Sequence, residues 1–481
     1  MRGKCEQMSL FDIYRSVEDA LENDQPLLFR LLDEHIDWNE IIPFGFYLAF
    51  YKRFGRARVY ELESFLRMLL LQRIFHFTED SQLLNVLRCC AEMRVFCGLD
   101  KVPDASKLTR FKQEFCEWLA RVLERLVELT EPICREMDAE LADMLNFDTT
   151  GVESYVAENN PKFAMLKERQ ATSYAKVNPE FDAEKGRHTF MPQASQSNGE
   201  VKYQYIDGHF CYAQKAAVLT NGLGIIRHLE LFDEDFRFRH PEVPREQRTK
   251  SPEIDKEIYD SIALKPVLRD FCTAHPSFRY GTFSGDAAFD SYDNYSFLLG
   301  EFGFQQAVIP LNPRNSATAQ EVDFNENGTP VCPLDKTPLR LQGKSGGKHR
   351  SLRLKYLCPK SVLTKRVNGR RTTICTCETP CTPSEYGRCV YVYPHKDLRL
   401  YPGISRDDSK FDAIYKRRAA VERAIASLKH TLCLQGRKTS DVLSTKADLL
   451  LAGISQLVCV LLAGRLNDHS LARRTRLLLA A

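Results

Sequence analysis

The sequence predicts a multidomain α+β protein: an all-helical N-terminal domain, then a mixed β-sheet flanked by helices, with a basic, cysteine-containing insert before the last helices. Three observations predict it. The chain has 481 residues, 43% of them hydrophobic, which is enough for two to four domains. Apolar residues recur at helical spacing up to about residue 140 and in short strand-like runs after it. The stretch 312–400 then breaks this pattern with cations and cysteines.

The helical N-terminal domain is predicted over residues 1–140. Apolar residues repeat every three or four positions in YELESFLRMLLLQRIFHF, SQLLNVLRCCAEMRVFCGL and FKQEFCEWLARVLERLVELTEPI. In KVPDASKLTRFKQEF, Pro103 breaks one helix, and capping residues begin the next, which carries Lys107 and Arg110. These two cations suit the DNA-binding helix of a helix-turn-helix. The alternative is a capped amphipathic helix without that role.

A β-sheet is predicted in the first part of a core domain, residues 141–311. Its five strand-like runs are MLNFDTTG, FCYAQKAAVLTN, LGIIRHLELF, FRYGTFSGDAAFD and GFQQAVIPLN. A helix in SYDNYSFLLGEF, between the last two runs, makes a strand–helix–strand unit, which indicates a mixed sheet and not a doubly wound dinucleotide-binding fold. The polar stretch 153–201 is expected to be a long surface excursion.

The second part of the core is predicted over residues 401–481, after the insert at 312–400. The string SKFDAIYKRRAAVERAIASLKHTL indicates one long helix, with Val421, Ile425 and Leu428 on one face. A final apolar helix is expected from Asp448 to Leu466. Its uncharged stretch, 449–464, has 16 residues, which is too short to cross a bilayer, so we expect a buried core helix and no membrane partner.

Charge is distributed unevenly along the chain. Residues 1–150 contain 19 Lys and Arg against 27 Asp and Glu, whereas the remainder contains 48 against 37. Twelve cations lie between Lys336 and Arg371 without a carboxylate, and Lys416 to Lys438 has seven cations against the single Glu422. Such runs are often solvated faces. Two of them on either side of a candidate site indicate a polyanionic partner.

The N-terminal string MRGKCEQMSLFDIYRS lacks the regions of a secretory signal, so a cytoplasmic protein is predicted. In that compartment the sixteen cysteines are expected to be thiols or metal ligands and not disulfides. Four of the insert's cysteines could close a structural Zn²⁺ site, but the spacing C-x-C-x3-C-x7-C lacks paired C-x2-C motifs, and buried free thiols are the alternative. The insert's six cysteines are Cys332, Cys358, Cys375, Cys377, Cys381 and Cys389.

Three carboxylates occupy positions that suit metal-ion chemistry. Asp148 and Asp286 each follow an apolar strand, and Glu422 lies on a helix whose opposite face is apolar. Paired divalent metal ions about 3.5–4 Å apart need shared, hard oxygen ligands on rigid elements. Taken singly, such residues are more often turn residues, helix caps or surface ion pairs. The sequence therefore offers these three as a candidate metal site without deciding it.

The motifs resemble those of bacterial insertion-sequence transposases. The string YKRRAAVERAIASLK matches their Y-(2)-R-(3)-E-(6)-K signature with Tyr415, Arg418, Glu422 and Lys429. The strings NFDTTGVE and FSGDAAFDSYDNY look like the first and second aspartate motifs of this family, in the correct order. The stretch from LRMLLLQRI to GLDKVPDASKLTRF is similar to the helical N-terminal domain common in these transposases. The resemblance covers nearly the whole chain.

This resemblance implies an RNase H-like catalytic domain, with the insert between its fifth strand and the helix of Glu422. It implies a DDE transposase in which Asp148, Asp286 and Glu422 bind two Mg²⁺ (or Mn²⁺) ions. The reaction would be hydrolysis at transposon ends, followed by attack of the freed 3′-hydroxyl on target DNA. Arg418 and Lys429 would contact DNA phosphates. Tyr415 would either contact the nucleic acid or pack against the sheet.

The partners implied are double-stranded DNA, as transposon inverted repeats and as target, and a second copy of the chain in the active complex. Two other functions stay open. One is an RNase H-like nuclease that uses the same metal site without strand transfer, which the complete Tyr-Arg-Glu-Lys signature disfavours. The other is a domesticated transposase that binds DNA without chemistry, which the intact Asp148, Asp286 and Glu422 disfavour.

Overall fold

The computed structural model divides into two compact units, called here the helical unit and the sheet unit. The helical unit comprises residues 1–137, 151–214 and 426–481, and the sheet unit comprises 138–150 and 215–425. The described residues are 9, 26–52, 56–243, 258, 260–312, 322–347, 350–365 and 371–473. Apart from Ser9, the N-terminal string that predicts the compartment therefore lies outside the described residues, as do the last residues of the chain.

The helical unit is built from short amphipathic helices around an apolar core. The predicted single helix through FKQEFCEW is divided at Phe115, where the chain leaves helical geometry. The helices are α1 (Leu27–His35), α2 (Trp38–Ile41), α3 (Phe44–Phe50), α4 (Leu62–Ile74), α5 (Asp80–Cys89), α6 (Ala91–Phe96), α7 (Ala105–Glu114) and α8 (Cys116–Met137).

A C-terminal helix, Val442–Arg465, completes the core of the helical unit and is labelled α17 in chain order. It packs against α1, α4, α7 and α8. Of the described helices it is the one long and apolar enough to cross a membrane, but 89% of its apolar window is buried inside the protein. A helix that is apolar on every side needs neighbours all around it. This helix is therefore a core helix, as the sequence predicts.

The division of the chain differs from the predicted one in two places. Residues 426–473 lie in the helical unit and not with the predicted core domain, because the apolar helix α17 is buried among the N-terminal helices. The stretch 151–214 also lies in the helical unit. The predicted surface excursion inside it contains the 17-residue helix α10 (Pro161–Val177), with Asn160 as its N-cap and Pro161 as its first residue.

The sheet unit confirms the predicted mixture of parallel and antiparallel strands. Strand β1 pairs parallel with β5, which pairs parallel with β6, and the second half of β3 pairs antiparallel with β4. The first half of β3 pairs antiparallel with β2 in the helical unit, a strand that the sequence does not predict. The strands are β1 (Met144–Glu153), β2 (Lys202–Ile206), β3 (His209–Asn221), β4 (Ile226–Leu231), β5 (Thr282–Ser284) and β6 (Gln306–Val308).

Helices cover the sheet and bury its apolar residues. Phe147 on β1, Phe283 on β5 and Ala307 on β6 share one core with Leu264 and Phe271 of the helix that precedes β5. The helices of this part of the chain are α9 (Ala139–Ala142), α12 (Glu234–Arg239), α13 (Asp260–Ala274) and α14 (Tyr292–Ser296), the last continued by a π-helical turn, Phe297–Glu301; a short α11 (Ala183–Gly186) lies in the helical unit.

The insert forms its own small β-structure within the sheet unit. Strands β11, β8 and β7 make one antiparallel sheet and β9 and β10 make a hairpin. The three-stranded sheet has a separate core that includes Leu354, Tyr356 and Val392. The strands are β7 (Arg340–Gly347), β8 (Arg350–Leu357), β9 (Ser361–Lys365), β10 (Arg371–Cys375) and β11 (Cys389–Val392).

Both ends of the insert are held by one buried aspartate. Asp290 is fully buried, and its carboxylate accepts hydrogen bonds from the backbone N–H of Asn312 at 2.8 Å and from Arg399 at 2.7 Å. These two residues begin and end the predicted insert. Tyr295 also donates to Asp290, at 3.0 Å. An aspartate buried with these partners closes the insert as a loop on the sheet unit.

The predicted long helix after the insert is broken into four parts. Helix α15 (Ser409–Tyr415) leads into a 3₁₀ turn, Lys416–Arg418, and helix α16 (Ala419–Ala426) leads into a π-helical turn, Ser427–Thr431. The break at Ala426 is also where the chain passes from the sheet unit to the helical unit. Changes of helical type are common where a helix carries functional residues.

Candidate active site

The register of two parallel strands brings the predicted aspartates to the same end of the sheet. Asn146 on β1 pairs with Ser284 on β5. Asp148 and Asp286 each lie two residues beyond this pair, so both lie at the same end of the β1–β5 pairing. Strand β1 continues past Asp148 to Glu153, whereas β5 ends at Ser284. We expected Asp148 at the end of its strand. It lies instead within β1, just beyond the point where the pairing with β5 ends.

Asp286 is held in place by the turn that follows β5. Its carboxylate caps the 3₁₀ turn Ala287–Phe289 by accepting a hydrogen bond from the backbone N–H of Ala288 at 2.9 Å. Phe289 is buried against Phe147 of β1. The small residues after Asp286 therefore let the turn fold tightly against the core.

Glu422 reaches the same site from helix α16. The buried face of this helix consists of Ala420, Val421 and Ala424, so Glu422 lies on the half-exposed side. Gly224, in the turn between β3 and β4, has a φ of +80°, and a Cβ there would lie 3.0 Å from the carbonyl oxygen of Ala420. A glycine at this position allows α16 to approach the sheet closely.

The guanidinium of Arg418 connects the three carboxylates. It donates a hydrogen bond to Glu422, and its Nη1 lies 3.6 Å from Oδ2 of Asp148. Asp286 interacts electrostatically with Arg418 and with Asp148. The structure therefore brings together Asp148, Asp286 and Glu422, with a positive group among them.

Burial and like charge make Asp148 hard to ionise. The pKa of Asp148 is raised to about 6, mainly by burial; the Thr149 backbone N–H and Arg418 lower this pKa, and Asp286 and Asp260 add to its increase. A bound cation would stabilise the ionised form of a carboxylate that is buried beside other carboxylates.

The donor set fits divalent magnesium or manganese. Both prefer carboxylate oxygens, and here two come from strand-anchored aspartates and one from a helix. The three carboxylates do not all lie within 4.8 Å of one another; the groups of described residues that do are Cys358, Cys375 and Cys377, and separately Glu153, His209 and Cys211. The Arg418 guanidinium interacts with all three carboxylates, so its positive charge takes the place of a metal ion there.

Two further residues support the site and are missing from the sequence-based list. Asp260, at the start of α13, accepts hydrogen bonds from Lys215 and from the Thr149 hydroxyl, the latter at 2.6 Å. Lys215 also donates to the backbone carbonyl of Ile258 at 2.6 Å. A lysine inside the apolar strand FCYAQKAAVLTN is a signal that a buried carboxylate partner is present, because a buried ammonium needs one. Nothing in the sequence identifies Asp260 as that partner.

The structure gives Lys429 a protein partner that the sequence does not predict, and its contact with DNA stays a prediction. Lys429 lies in the helical unit and in the π-helical turn, with only 5% of its side chain exposed. Its Nζ donates to Oδ2 of Asp207 at 2.6 Å, in the turn between β2 and β3. In this conformation the ammonium of Lys429 faces Asp207 and is hidden from solvent. Lys429 therefore holds the β2–β3 turn in this conformation.

Tyr415 packs within the sheet unit. Its ring stacks on Phe411 with centroids 6.1 Å apart, and it joins the small core of Val308 and Ile404. Packing is one of the two roles considered for Tyr415, and its contact with nucleic acid stays a prediction. Lys107 and Arg110 are both exposed on α7, where Leu108 and Phe111 are buried, so the two cations share the solvent-facing side.

Comparison with known proteins gives a matching family model and similar solved structures. Residues 15–114 match the family model described as "Transposase domain (DUF772)". No curated protein matches the chain. A solved structure that the chain resembles is the cryo-EM structure of a piggyBac transposase synaptic complex with hairpin DNA, at 10% identity and a TM-score of 0.36, covering 94% of this chain and 78% of that one. The N-terminal part of the chain is therefore similar to a transposase domain, and this supports transposase function.

Proposed function

We propose that the protein is a DDE transposase that cleaves DNA at transposon ends and transfers the freed 3′-hydroxyl into target DNA. The observation that carries the proposal is the convergence of Asp148, Asp286 and Glu422 around Arg418. The match of residues 15–114 to a transposase domain supports the same function independently, because it lies outside these residues.

The chemistry that we assign to the site uses two divalent cations. Asp148, Asp286 and Glu422 would hold Mg²⁺, which would supply activation of the attacking water or hydroxyl and stabilisation of the leaving oxygen. The strands and the helix hold these carboxylates on rigid elements, so their positions need little reorganisation. Asp260 accepts a hydrogen bond from Thr149, the residue after Asp148, and Lys215 donates to Asp260. In this scheme Asp260 and Lys215 are positioning residues.

The proposed role of Arg418 is to bind DNA phosphate next to the reacting bond. A guanidinium that already faces three carboxylates can turn to a phosphate oxygen once those carboxylates bind cations, and it would then grip the phosphate with two parallel hydrogen bonds. The exposed pair Lys107 and Arg110 on α7 is the proposed contact to DNA in the helical unit. A dimer that pairs two transposon ends completes the proposed complex.

The substitution Glu422→Gln tests the assignment. It keeps the size of the side chain and its hydrogen-bonding capacity but removes one negative charge. We expect binding of a labelled duplex that carries the terminal repeat flanking the gene to survive, while Mg²⁺-dependent cleavage and joining fall by about 100-fold or more, since metal stabilisation is worth several kcal/mol. The matched control is Asp412→Asn, an exposed carboxylate on α15 in the same unit.

The outcomes separate the three functions. Loss of cleavage and joining in Glu422→Gln but not in Asp412→Asn supports the transposase. A wild type that cuts but never joins the 3′-hydroxyl to a second duplex is a nuclease. A wild type that binds without cutting is a domesticated binding protein. Wild-type-level joining by Glu422→Gln would refute the role of Glu422.

A further inference from the structure

The insert gathers five cysteine thiols that the proposed reaction does not use. Cys358 directly follows β8 and is buried, and Cys375 is the last residue of β10. Cys377 and Cys381 follow in the next turn, and Cys332 lies in the segment before β7. All five are free thiols within the sheet unit. Strands far apart along the chain therefore bring their cysteines to one place.

Three of these thiols are already at metal-binding distance. The sulfur atoms of Cys358, Cys375 and Cys377 all lie within 4.8 Å of one another. Around a tetrahedral zinc ion with Zn–S bonds of about 2.3 Å, sulfur atoms are about 3.8 Å apart, so a small inward rotation of the side chains completes the geometry. A set made only of sulfur ligands is soft, which favours zinc over magnesium or calcium.

The remaining two thiols supply a fourth ligand and its support. Cys381 interacts electrostatically with Cys358 and shares a hydrogen bond with Cys332. Cys332 is in turn hydrogen-bonded to Asp335. Cys381 thus interacts with the three-thiol group, whereas Cys332 is hydrogen-bonded to Asp335 of its own turn and to Cys381.

Two of the five cysteines, Cys332 and Cys358, each begin a tight turn of the backbone. In Cys332-Pro-Leu-Asp-Lys336 the N–H of Lys336 donates to the carbonyl of Cys332 at 3.0 Å, and Lys336 has a φ of +56°. In Cys358-Pro-Lys-Ser361 the N–H of Ser361 donates to the carbonyl of Cys358 at 3.0 Å. Each turn contributes one cysteine and not two. This explains why the sequence lacks C-x2-C pairs although the fold collects the thiols.

We propose that Cys358, Cys375, Cys377 and Cys381 bind one structural zinc ion. Four protein thiolates close a tetrahedral site and leave no open position for a substrate, so the ion stabilises structure and takes no part in the reaction. It ties the β9–β10 hairpin to the end of β8. The insert needs such a tie, because its own core of a few apolar side chains is small for a domain of this length.

The first test uses the unaltered full-length protein. Expressed with zinc in the medium and purified without chelator, it is expected to contain about one zinc per chain by elemental mass spectrometry. Cys358, Cys375, Cys377 and Cys381 should resist alkylation by iodoacetamide until a chelator is added, whereas the exposed Cys389 of β11 should react at once. Replacement of zinc by cobalt should give the thiolate-to-metal absorption and visible bands of a tetrahedral site.

Matched substitutions locate the ligands. Cys377→Ser and Cys381→Ser should each lose most of the zinc, and Cys389→Ser should keep it. Purified protein without zinc, or with all four thiols open to alkylation before chelation, would overturn the proposal. Zinc loss in Cys332→Ser with retention in Cys381→Ser would overturn the assignment of the fourth ligand. None of these readouts depends on transposition.

Discussion

A buried cluster of charged side chains in the helical unit differs from the candidate site of the sheet unit in charge balance and in exposure. In the helical unit, Asp80 and Asp448 face three cations, Arg73, Lys112 and Arg437. The five side chains are between 0% and 16% exposed. Asp448 accepts hydrogen bonds from Arg73 at 2.6 Å and from Arg437 at 2.7 Å. Opposite charges are paired throughout this cluster.

The cluster of the sheet unit is unbalanced and open on one side. Four carboxylates, Asp148, Asp286, Glu422 and Asp260, interact with two cations, Arg418 and Lys215. Side-chain exposure reaches 52% at Glu422. This cluster therefore carries excess negative charge next to solvent.

The pKa shifts have opposite directions in the two clusters. Burial alone would raise the pKa of Asp448, yet Arg437, Lys112 and Arg73 lower it far below the usual range of an aspartate. Ionised Asp448 thus stabilises the fold at neutral pH, and this contribution disappears only in strong acid. The pKa of Asp148 is raised, so ionised Asp148 costs stability. A carboxylate among several cations is favoured in its ionised form, whereas an excess of carboxylates at a surface prepares a site for a cation.

The largest expected effect on stability follows from Asp448→Asn. The substitution leaves three buried cations facing Asp80 alone, and removal of one partner from a buried cluster typically costs about 3–5 kcal/mol. Both tryptophans of the chain, Trp38 and Trp118, lie in the helical unit, so tryptophan fluorescence during urea unfolding reports on this unit. The control is Asp100→Asn, an exposed carboxylate of the same unit. A loss below about 1 kcal/mol would contradict a structural role for the cluster.

The substitution Asp148→Asn sharpens the comparison, because it should change stability in the opposite direction. In the presence of EDTA we expect the sheet unit to gain about 1–3 kcal/mol, the cost of ionising a carboxylate whose pKa is raised to about 6. The gain should be complete above the folded pKa and absent below the ordinary aspartate pKa of about 4. Hydrogen exchange of the β1 and β5 amides, above the folded pKa of Asp148 and below the ordinary aspartate pKa, measures this gain in stability. Equal protection of these amides in wild type and variant at alkaline pH would show that ionised Asp148 does not destabilise the sheet unit.

The smallest effect concerns the run of cations in the insert, from Lys336 to Arg371, which we expect to bind DNA. Of its twelve cations, seven have described side chains, and Lys336 and Lys360 already pair with Asp323 and Asp335 at 2.7 Å. Among the described residues no carboxylate pairs with a second set on the β7–β8 hairpin. That set is Arg340, Lys344, Arg350 and Arg353.

Neutralising that second set to glutamine should weaken DNA binding and flatten its salt dependence. The slope should fall by up to about 0.9 log-log units for each DNA phosphate that the protein no longer neutralises. Neutralising Lys336 and Lys360 together is the control and should change the slope less, because both already have partners. Titration of a labelled duplex at several salt concentrations gives both slopes. An equal slope in all three proteins would show that the hairpin does not bind DNA.

The sequence by itself predicts most of the elements and the three carboxylates of the candidate site. The apolar periodicities predict the helices and five of the sheet's strands, and motif spacing selects Asp148, Asp286 and Glu422. Such signals are local, since they depend on residues close together along the chain. The apolar composition of helix α17 also predicts that this helix is buried, but it does not predict which helices pack against it.

Only the tertiary structure decided which distant residues meet. Lys429 follows Glu422 by seven residues, yet a π-helical turn and the partner Asp207 bury it in the other unit. Lys215 and Asp260 meet across 45 residues, and the cysteines of the insert meet through strand pairing and not through sequence spacing. These contacts depend on strand register and on helix packing, which are properties of the whole chain.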